Sequence, residues 1–585
     1  MTVRPSTLGA LAVVAALGAS ASRAEPLVER DVAVRVRDGT VLRADVLRPA
    51  GAGRFPVLVY RTPYGKQEAV REHGTFGRAV ARGYAVVVQD VRGRYASAGT
   101  FDPYRNEGRD GYDTIEWAAA QPWSDGRVGT FGLSYPGAVQ WLAALESPPH
   151  LRAMVPAMTF STGRNFFYSG GAFDLSWIPW IWSSIAPDLR ARGGLPGPRT
   201  PEEARAEWAR VGDELRGTLP LAEMAALRPV APFYYEWLRH PPGDPYWDFA
   251  EVRGRHDRVA AAVLNLSGWH DETYGPEGAI TNFRGLVEAR RGASDPRARL
   301  VIGPWTHGVA ATATTRVGER EMGAAAAVDY DDAVLRFRDR HLRGVGRGPE
   351  PPVRVFVMGA GRWREGTDWP LPGTAPLPLH LAGPAAEGAP GRLVRAPASS
   401  GPASSTFVSD PARPVVDPHA EEAGAHDYRS LAGRSDVLVF DSDPLPDDLE
   451  VVGPVGAEIV LSADAPDVDL WLKLLDVAPD GTAWNLMSPG PDVLRASFRE
   501  GFARPLPLRP GEPVTLRFPH LVTGNLFRKG HRVRVLLCGS FMPHFSRNLQ
   551  TGEREATSSR TRAATVRIHH GAGHSSRIVL PVLRP

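Results

Sequence analysis

Residues 127–137 read Arg127-Val128-Gly129-Thr130-Phe131-Gly132-Leu133-Ser134-Tyr135-Pro136-Gly137. A short apolar run enters a tight turn at Ser134, and Val139, Leu142 and Leu145 then recur on one helical face. A serine between a strand and a helix stands at the carboxyl edge of a sheet. Its hydroxyl is exposed there, and the next backbone N–H faces the same space. Gly132 and Gly137 flank the turn. The second glycine follows Ser134 by three residues rather than two, and Pro136 takes the usual place. A lone G-x-S is a weak signal, so the reading depends on what else the chain supplies.

The chain has 585 residues, more than one hydrophobic core holds, so two or three domains are expected. An apolar content of 43% with 23% charged residues is that of a globular protein. The net charge of +3 carries no long basic block, which argues against nucleic acid as a partner. Cys538 is the only cysteine, which excludes an intramolecular disulfide and a cysteine-based metal site. Residues 1–24 read as a signal peptide. Arg4 precedes the apolar run Leu8 to Leu17, and small residues lead to Ala24, with cleavage after Ala24 or Ala21. The run is too short to anchor in a bilayer. A periplasmic or secreted protein with no membrane segment in its mature form is expected.

From Glu25 the chain opens as strands. Val32, Val34 and Val36 alternate with polar residues, Asp38-Gly39 turns, and Leu42, Ala44 and Val46 alternate back as a hairpin. Phe55 to Tyr60 and Tyr84 to Gln89 are continuous apolar runs, the pattern of strands buried on both faces. Helices are expected through Phe76 and Val80, and from about Gly108 with Tyr112, Ile115 and Ala119 on one face. Asp102, Glu107, Asp110 and Asp113 read as a solvated helix start. Strand–helix alternation of this kind builds an α/β fold around a mainly parallel sheet. Residues 160–257 break the pattern with many aromatics and read as an inserted helical cap. Phe166, Phe167 and Trp177, together with Trp269, are candidates for a substrate pocket or for plain core. Strands resume at Ala261 to Leu266, Leu300 to Ile302 and Val353 to Met358.

Two of the resumed strands end in Ser267-Gly268-Trp269-His270-Asp271 and Gly303-Pro304-Trp305-Thr306-His307-Gly308. Reactive groups in open α/β sheets gather at such carboxyl ends. The order is then Ser134, Asp271, His307, with intervals of 137 and 36 residues that leave room for the cap between serine and acid. That is the order of an α/β-hydrolase. A serine hydroxyl needs a base to take its proton, and the base needs a carboxylate to orient it and steady its cation. The ordered set is a much stronger signal than any member.

The three motifs, with Gly132-Leu133-Ser134-Tyr135-Pro136-Gly137 as the elbow, resemble those of the cocaine esterase / X-Pro dipeptidyl-peptidase family, which includes the α-amino-acid ester hydrolases. The family's elbow, G-x-S-Y-x-G, accounts for the shifted glycine. Gln89 to Arg94, Gln121 to Gly126 and Ser546 to Gly552 also resemble it, so the likeness spans nearly the whole mature chain. The resemblance implies an oxyanion hole made of the Tyr135 N–H and the Tyr64 side chain in Thr62-Pro63-Tyr64. Two such donors, preorganised, are worth about 3 kcal/mol each. It also implies a jelly-roll domain after Gly373, where short alternating segments such as Ile459 to Leu461, Val468 to Leu474 and Val533 to Leu537 recur. The expected division is therefore 25–159 and 258–373 for the hydrolase domain, 160–257 for the cap and 374–585 for the β-sandwich. Pro384 to Pro414, rich in Ala, Gly, Pro and Ser, reads as an exposed loop or a poorly ordered insertion.

The expected activity is hydrolysis of a small-molecule acyl ester or amide through an acyl-enzyme, with no cofactor. Dipeptidyl-peptidase, amino-ester hydrolase or β-lactam acylase action would use the same triad. A secreted carbohydrate- or ligand-binding protein on an inactive hydrolase scaffold is the reading from another class, and an intact triad argues against it. Arg164 and Asn165 stand where the family's amine-binding enzymes are expected to carry acids, which points away from substrates with a free α-amine. His569, His570 and His574 are poor metal ligands, because neighbours on a strand face opposite ways. The sequence leaves a homo-oligomer open.

Overall fold

The computed structural model describes residues 25–584 apart from 347, 349, 387, 388 and 400. The signal peptide expected at residues 1–24 lies outside the described residues. No helix among the described residues is long and apolar enough to cross a membrane.

Ten strands make the first sheet: β1 Leu27–Arg35, β2 Val41–Arg48, β3 Phe55–Thr62, β4 Ala85–Asp90, β5 Ser124–Leu133, β6 Leu151–Ala157, β7 Ala262–Gly268, β8 Ala298–Gly303, β9 Val353–Val357 and β10 Arg362–Gly366. Their order is β1-β2-β4-β3-β5-β6-β7-β8-β9-β10. The first hairpin and the last strand pair antiparallel, and β4 through β9 run parallel. All six residues of β4 and all seven of β7 are buried, as continuous apolar runs require in a sheet covered on both faces. The helices Glu107–Ala119 and Tyr135–Leu145 pack against one face, and Tyr330–Arg343 packs against the other.

Between β6 and β7 the chain makes the inserted segment. It contains the helices Pro201–Gly217 and Pro232–Arg239 and a π-helical turn at Ile181–Ile185. Helix Pro201–Gly217 starts with a capping box: Thr200 accepts from the Glu203 N–H, Glu203 accepts from the Thr200 N–H, and Pro201 sits at the first position. Much of the segment's aromatic content is core. Phe167 stacks on Trp177 with centroids 4.6 Å apart, and Trp237 and Trp247 close around them.

From Thr374 to Leu583 the chain forms a second, fourteen-stranded sheet. Its ladders are antiparallel except where Gly391–Val394 pairs with Val437–Asp441. The loop expected at Pro384 to Pro414 is a correction. Ser404–Ser409 pairs along its whole length with Ala564–His569, and Gly391–Val394 pairs with Thr374–Ala382. Small residues conceal the alternation there, with Ser405, Phe407 and Ser409 turned inward.

The acidic run at the start of helix Glu107–Ala119 also departs from expectation. Glu107 and Asp110 are buried rather than solvated. Glu107 lies 2.9 Å from the Arg61 guanidinium, Asp110 binds Arg92, and Asp113 binds Arg37. Charges taken out of water at this depth must be paired. Removing the Glu107 carboxylate leaves Arg61 buried without its counter-charge. Glu107→Ala is expected to lower unfolding free energy by about 3–5 kcal/mol in urea titration, and a loss below about 1 kcal/mol would contradict the assignment.

Candidate active site

Ser134 directly follows β5, as the N-cap of helix Tyr135–Leu145, with φ 70° and ψ −130°, a conformation that non-glycine residues rarely adopt. The neighbours show why this sequence makes the turn. A Cβ on Gly132 would lie 2.5 Å from the Pro136 Cβ, and one on Gly137 would lie 2.6 Å from the Ala157 carbonyl. The second glycine is thus set where the first helical turn crosses the end of β6. Pro136 suits that turn, since its missing N–H would have had no partner in the helix. The Ser134 N–H donates to the Ala157 carbonyl at 3.0 Å. Tyr135 is the first residue of the helix, so no carbonyl lies one turn back for its N–H. Its side chain points into the core. The hydroxyl donates to Glu107 Oε1 at 2.9 Å and accepts from the Tyr104 N–H at 3.0 Å.

The loops after β7 and β8 bring Asp271 and His307 together. His307 Nδ1 lies 2.9 Å from Asp271 Oδ1, and Asp271 is fully buried. The N–H groups of Thr273 and Tyr274 donate to the same carboxylate oxygen at 3.1 and 3.2 Å, and Ser267 reaches the other oxygen at 3.4 Å. The His307 backbone N–H donates to Glu272 Oε2 at 2.9 Å. From the β-domain, Ser488 Oγ donates to the Asp271 carbonyl at 2.8 Å. With Nδ1 on Asp271, Nε2 is the imidazole nitrogen left for a proton from serine. No hydrogen bond joins Ser134 Oγ to it among the described residues. Such bonds commonly tighten only with substrate bound.

Burial pushes the His307 pKa down, but the charge and hydrogen bond of Asp271, with the charge of Glu272, outweigh it, and the net shift is upward. Glu272 is itself raised: loss of hydration comes first, the His307 charge opposes it, and the Asp271 charge adds to it.

Tyr64 lies beside the serine. Its phenol is raised by burial, while hydrogen bonds from Trp180 and with Ser134 pull the other way, so it stays protonated at neutral pH. Tyr274 follows Asp271 by only three residues, and neither its residue type nor that spacing marks it in the sequence. Its hydroxyl meets both Ser134 and Tyr104, 3.2 Å from the Tyr104 hydroxyl. Its ring stacks on Phe166 at 4.3 Å and leans on the His307 ring at 5.6 Å.

The other pocket candidates divide. Phe166, with Tyr274, lines a cavity of about 30 Å³ whose other walls include Asn165, Asp174, Glu272, Glu277 and His520. Phe167 is fully buried and Trp177 nearly so, both in the interior of the inserted segment. Trp269 is a correction: it is fully buried, and its indole N–H donates to the Phe356 carbonyl at 2.7 Å, so it ties strand ends together. Arg164 binds Glu251 at 2.8 Å and also Asp248, so its charge is matched within the segment. His569 and His570 hydrogen bond to Ser462 and Ser405 on different strands. Glu319, His419 and His426 come close together at the β-domain contact. The two imidazoles stack 4.4 Å apart with planes 12° from parallel, so an ion in the lone-pair plane of one ring lies outside that of the other.

Residues 38–309 match the X-Pro dipeptidyl-peptidase (S15) family, and residues 346–579 match the X-Pro dipeptidyl-peptidase C-terminal non-catalytic domain. A cocaine esterase of Rhodococcus is 34% identical, with 95% of this chain and 99% of that one aligned. A putative serine esterase of Mycobacterium bovis is 27% identical over 94% and 95% of the two chains. An aminopeptidase structure from a marine-sediment Thaumarchaeota archaeon superimposes with a TM-score of 0.81 at 23% identity, covering 96% of this chain and 97% of that one, and shares the fold.

The raised His307 pKa gives a sign for pH dependence. The imidazole acts as a base only when neutral, so raising its pKa moves the acid-side loss of activity to higher pH. A kcat/KM profile is expected to fall with a midpoint above 6.5, the ordinary histidine value. A midpoint at or below 6.5 would contradict the stabilising roles of Asp271 and Glu272.

Proposed function

This chain belongs to the X-Pro dipeptidyl-peptidase (S15) family and is a serine hydrolase, and from that premise we propose that Ser134, His307 and Asp271 hydrolyse an uncharged carboxylic ester. The carrying observation is the pairing of His307 with buried Asp271 at the sheet edge where the strained turn presents Ser134. His307 takes the Ser134 proton as Oγ attacks the carbonyl. The tetrahedral oxyanion forms between the Tyr135 N–H and the Tyr64 O–H. His307 then gives its proton to the leaving alcohol, and the acyl group stays on Ser134. A water, losing its proton to His307, attacks that ester; the acyl–Oγ bond then breaks, His307 returns the proton to Ser134, and the acid is released. Asp271 holds the imidazole in the needed tautomer throughout. If residues 1–24 act as the leader that their sequence suggests, the enzyme is exported.

Arg164 offers little repulsion to a free α-amine, because its charge is already matched by Glu251 and Asp248. One observation favours a second reading, an ester or peptide with a free α-amine: Asp174, Glu272 and Glu277 wall the small cavity beside Tyr274. Esterase action remains the better-supported reading, since the relatives named as esterases align along their whole lengths.

Hydrolysis of p-nitrophenyl butyrate tests the chemistry, beside phenylacetate and phenylglycine methyl esters, which differ by an amine. Turnover of the uncharged esters is expected, with kcat lowered about a thousandfold or more in Ser134→Ala. Equal rates in wild type and Ser134→Ala would sink the assignment. A strong preference for phenylglycine ester would replace the first reading with the second.

A further inference from the structure

We propose that Trp180, from the segment inserted after β6, is a positioning residue of the oxyanion hole: its indole N–H fixes the direction in which the Tyr64 hydroxyl donates. The inference rests on the reading of Tyr64 as an oxyanion donor.

The Trp180 Nε1 donates to the Tyr64 hydroxyl oxygen at 3.0 Å. An indole N–H is a donor only, whereas a phenol oxygen has one proton and acceptor lone pairs. While Trp180 occupies a lone pair, the phenol proton must point away from it. The Ser134 side chain is a further polar neighbour of the Tyr64 hydroxyl. The proton is therefore aimed at the space above Ser134, where the oxyanion develops. A phenol that accepts one hydrogen bond also donates more strongly, because aligned bonds polarise one another.

Both the indole and the loop that it serves are held in place. The Trp177 ring meets the Trp180 ring edge-on at 5.3 Å, and the Tyr135 ring lies nearly parallel to it at 6.3 Å. Arg94 is fully buried and spans the same junction. It donates to the Pro63 carbonyl at 2.9 Å, just before Tyr64, and to the Ile185 and Ser184 carbonyls at 2.7 and 3.2 Å. Those carbonyls belong to the π-helical turn Ile181–Ile185, and Asp188 supplies a counter-charge 3.4 Å from Arg94. Single π turns recur at functional sites. The backbone before Tyr64 and its hydroxyl are thus both referenced to residues 180–188, and the oxyanion hole is completed from outside the sheet that carries the serine.

An interaction aimed at the oxyanion acts in the transition state and not on the bound ester, so its loss should appear in kcat and spare KM. The test measures both, with p-nitrophenyl butyrate, in wild type, Trp180→Phe, Tyr64→Phe and the double variant. A fifth protein carries 3-benzothienylalanine at position 180, which keeps the ring shape and replaces N–H by sulfur. It carries the test if Trp180→Phe packs poorly. The expectation is that the isostere and Trp180→Phe each lower kcat about tenfold, with KM within about twofold and Tm unchanged. In the Tyr64→Phe background, Trp180→Phe should change kcat by less than about twofold, because the bond it removes is already gone. Wild-type kcat in the isostere, or an equal loss from Trp180→Phe with and without Tyr64, would overturn the positioning role. Wild-type kcat in Tyr64→Phe would instead remove Tyr64 from the oxyanion hole, so the two failures are distinct.

Discussion

The strained turn at Ser134 is the constraint on which the rest of the molecule depends. A non-glycine residue at φ 70° and ψ −130° costs of order 1–3 kcal/mol, and it persists only where its surroundings over-determine it. Here three contacts do so. The serine N–H is bonded to the end of β6, Gly137 lets the helix touch that same strand end, and Tyr135 is fastened to the buried Glu107–Arg61 pair. The parallel sheet supplies the rigid edge, and the two helices packed on one face keep the turn from relaxing.

Each region of the chain completes the site in a different way. The sheet ends deliver the serine, the carboxylate and the imidazole. The inserted segment holds the Tyr64 hydroxyl and, through Arg94, the backbone before it. The β-domain reaches in with Ser488 to fix the Asp271 backbone, and Asn525 and Asp476 engage Arg320 of the hydrolase part. The domain named non-catalytic in the family thus helps to hold Asp271 in place.

What the sequence made legible follows from where the information lies. Strands buried on both faces show as unbroken apolar runs, so β3, β4, β7 and β9 were readable to within two residues. The placement of Ser134, Asp271 and His307 at strand ends is legible because each follows such a run directly, in a fixed order. What stayed hidden depends on partners far apart in the chain. Arg164 looked like a free cation until Asp248 and Glu251, more than eighty residues on, came to meet it. Glu107 looked solvated until Arg61 and Tyr135 closed over it. Ser404–Ser409 is a strand only because Ala564–His569 pairs with it. Tyr274 and Glu272 lie beside the legible Asp271, but neither residue type announces its role at that spacing.

The most direct test of the central claim is covalent labelling with a fluorophosphonate probe, followed by mass mapping of the modified peptide. The account predicts one stoichiometric label, on Ser134, formed rapidly in the wild type and only slowly in His307→Asn, because the hydroxyl reacts only when the imidazole takes its proton. A label on any other residue, or equal labelling rates in the two proteins, would contradict it.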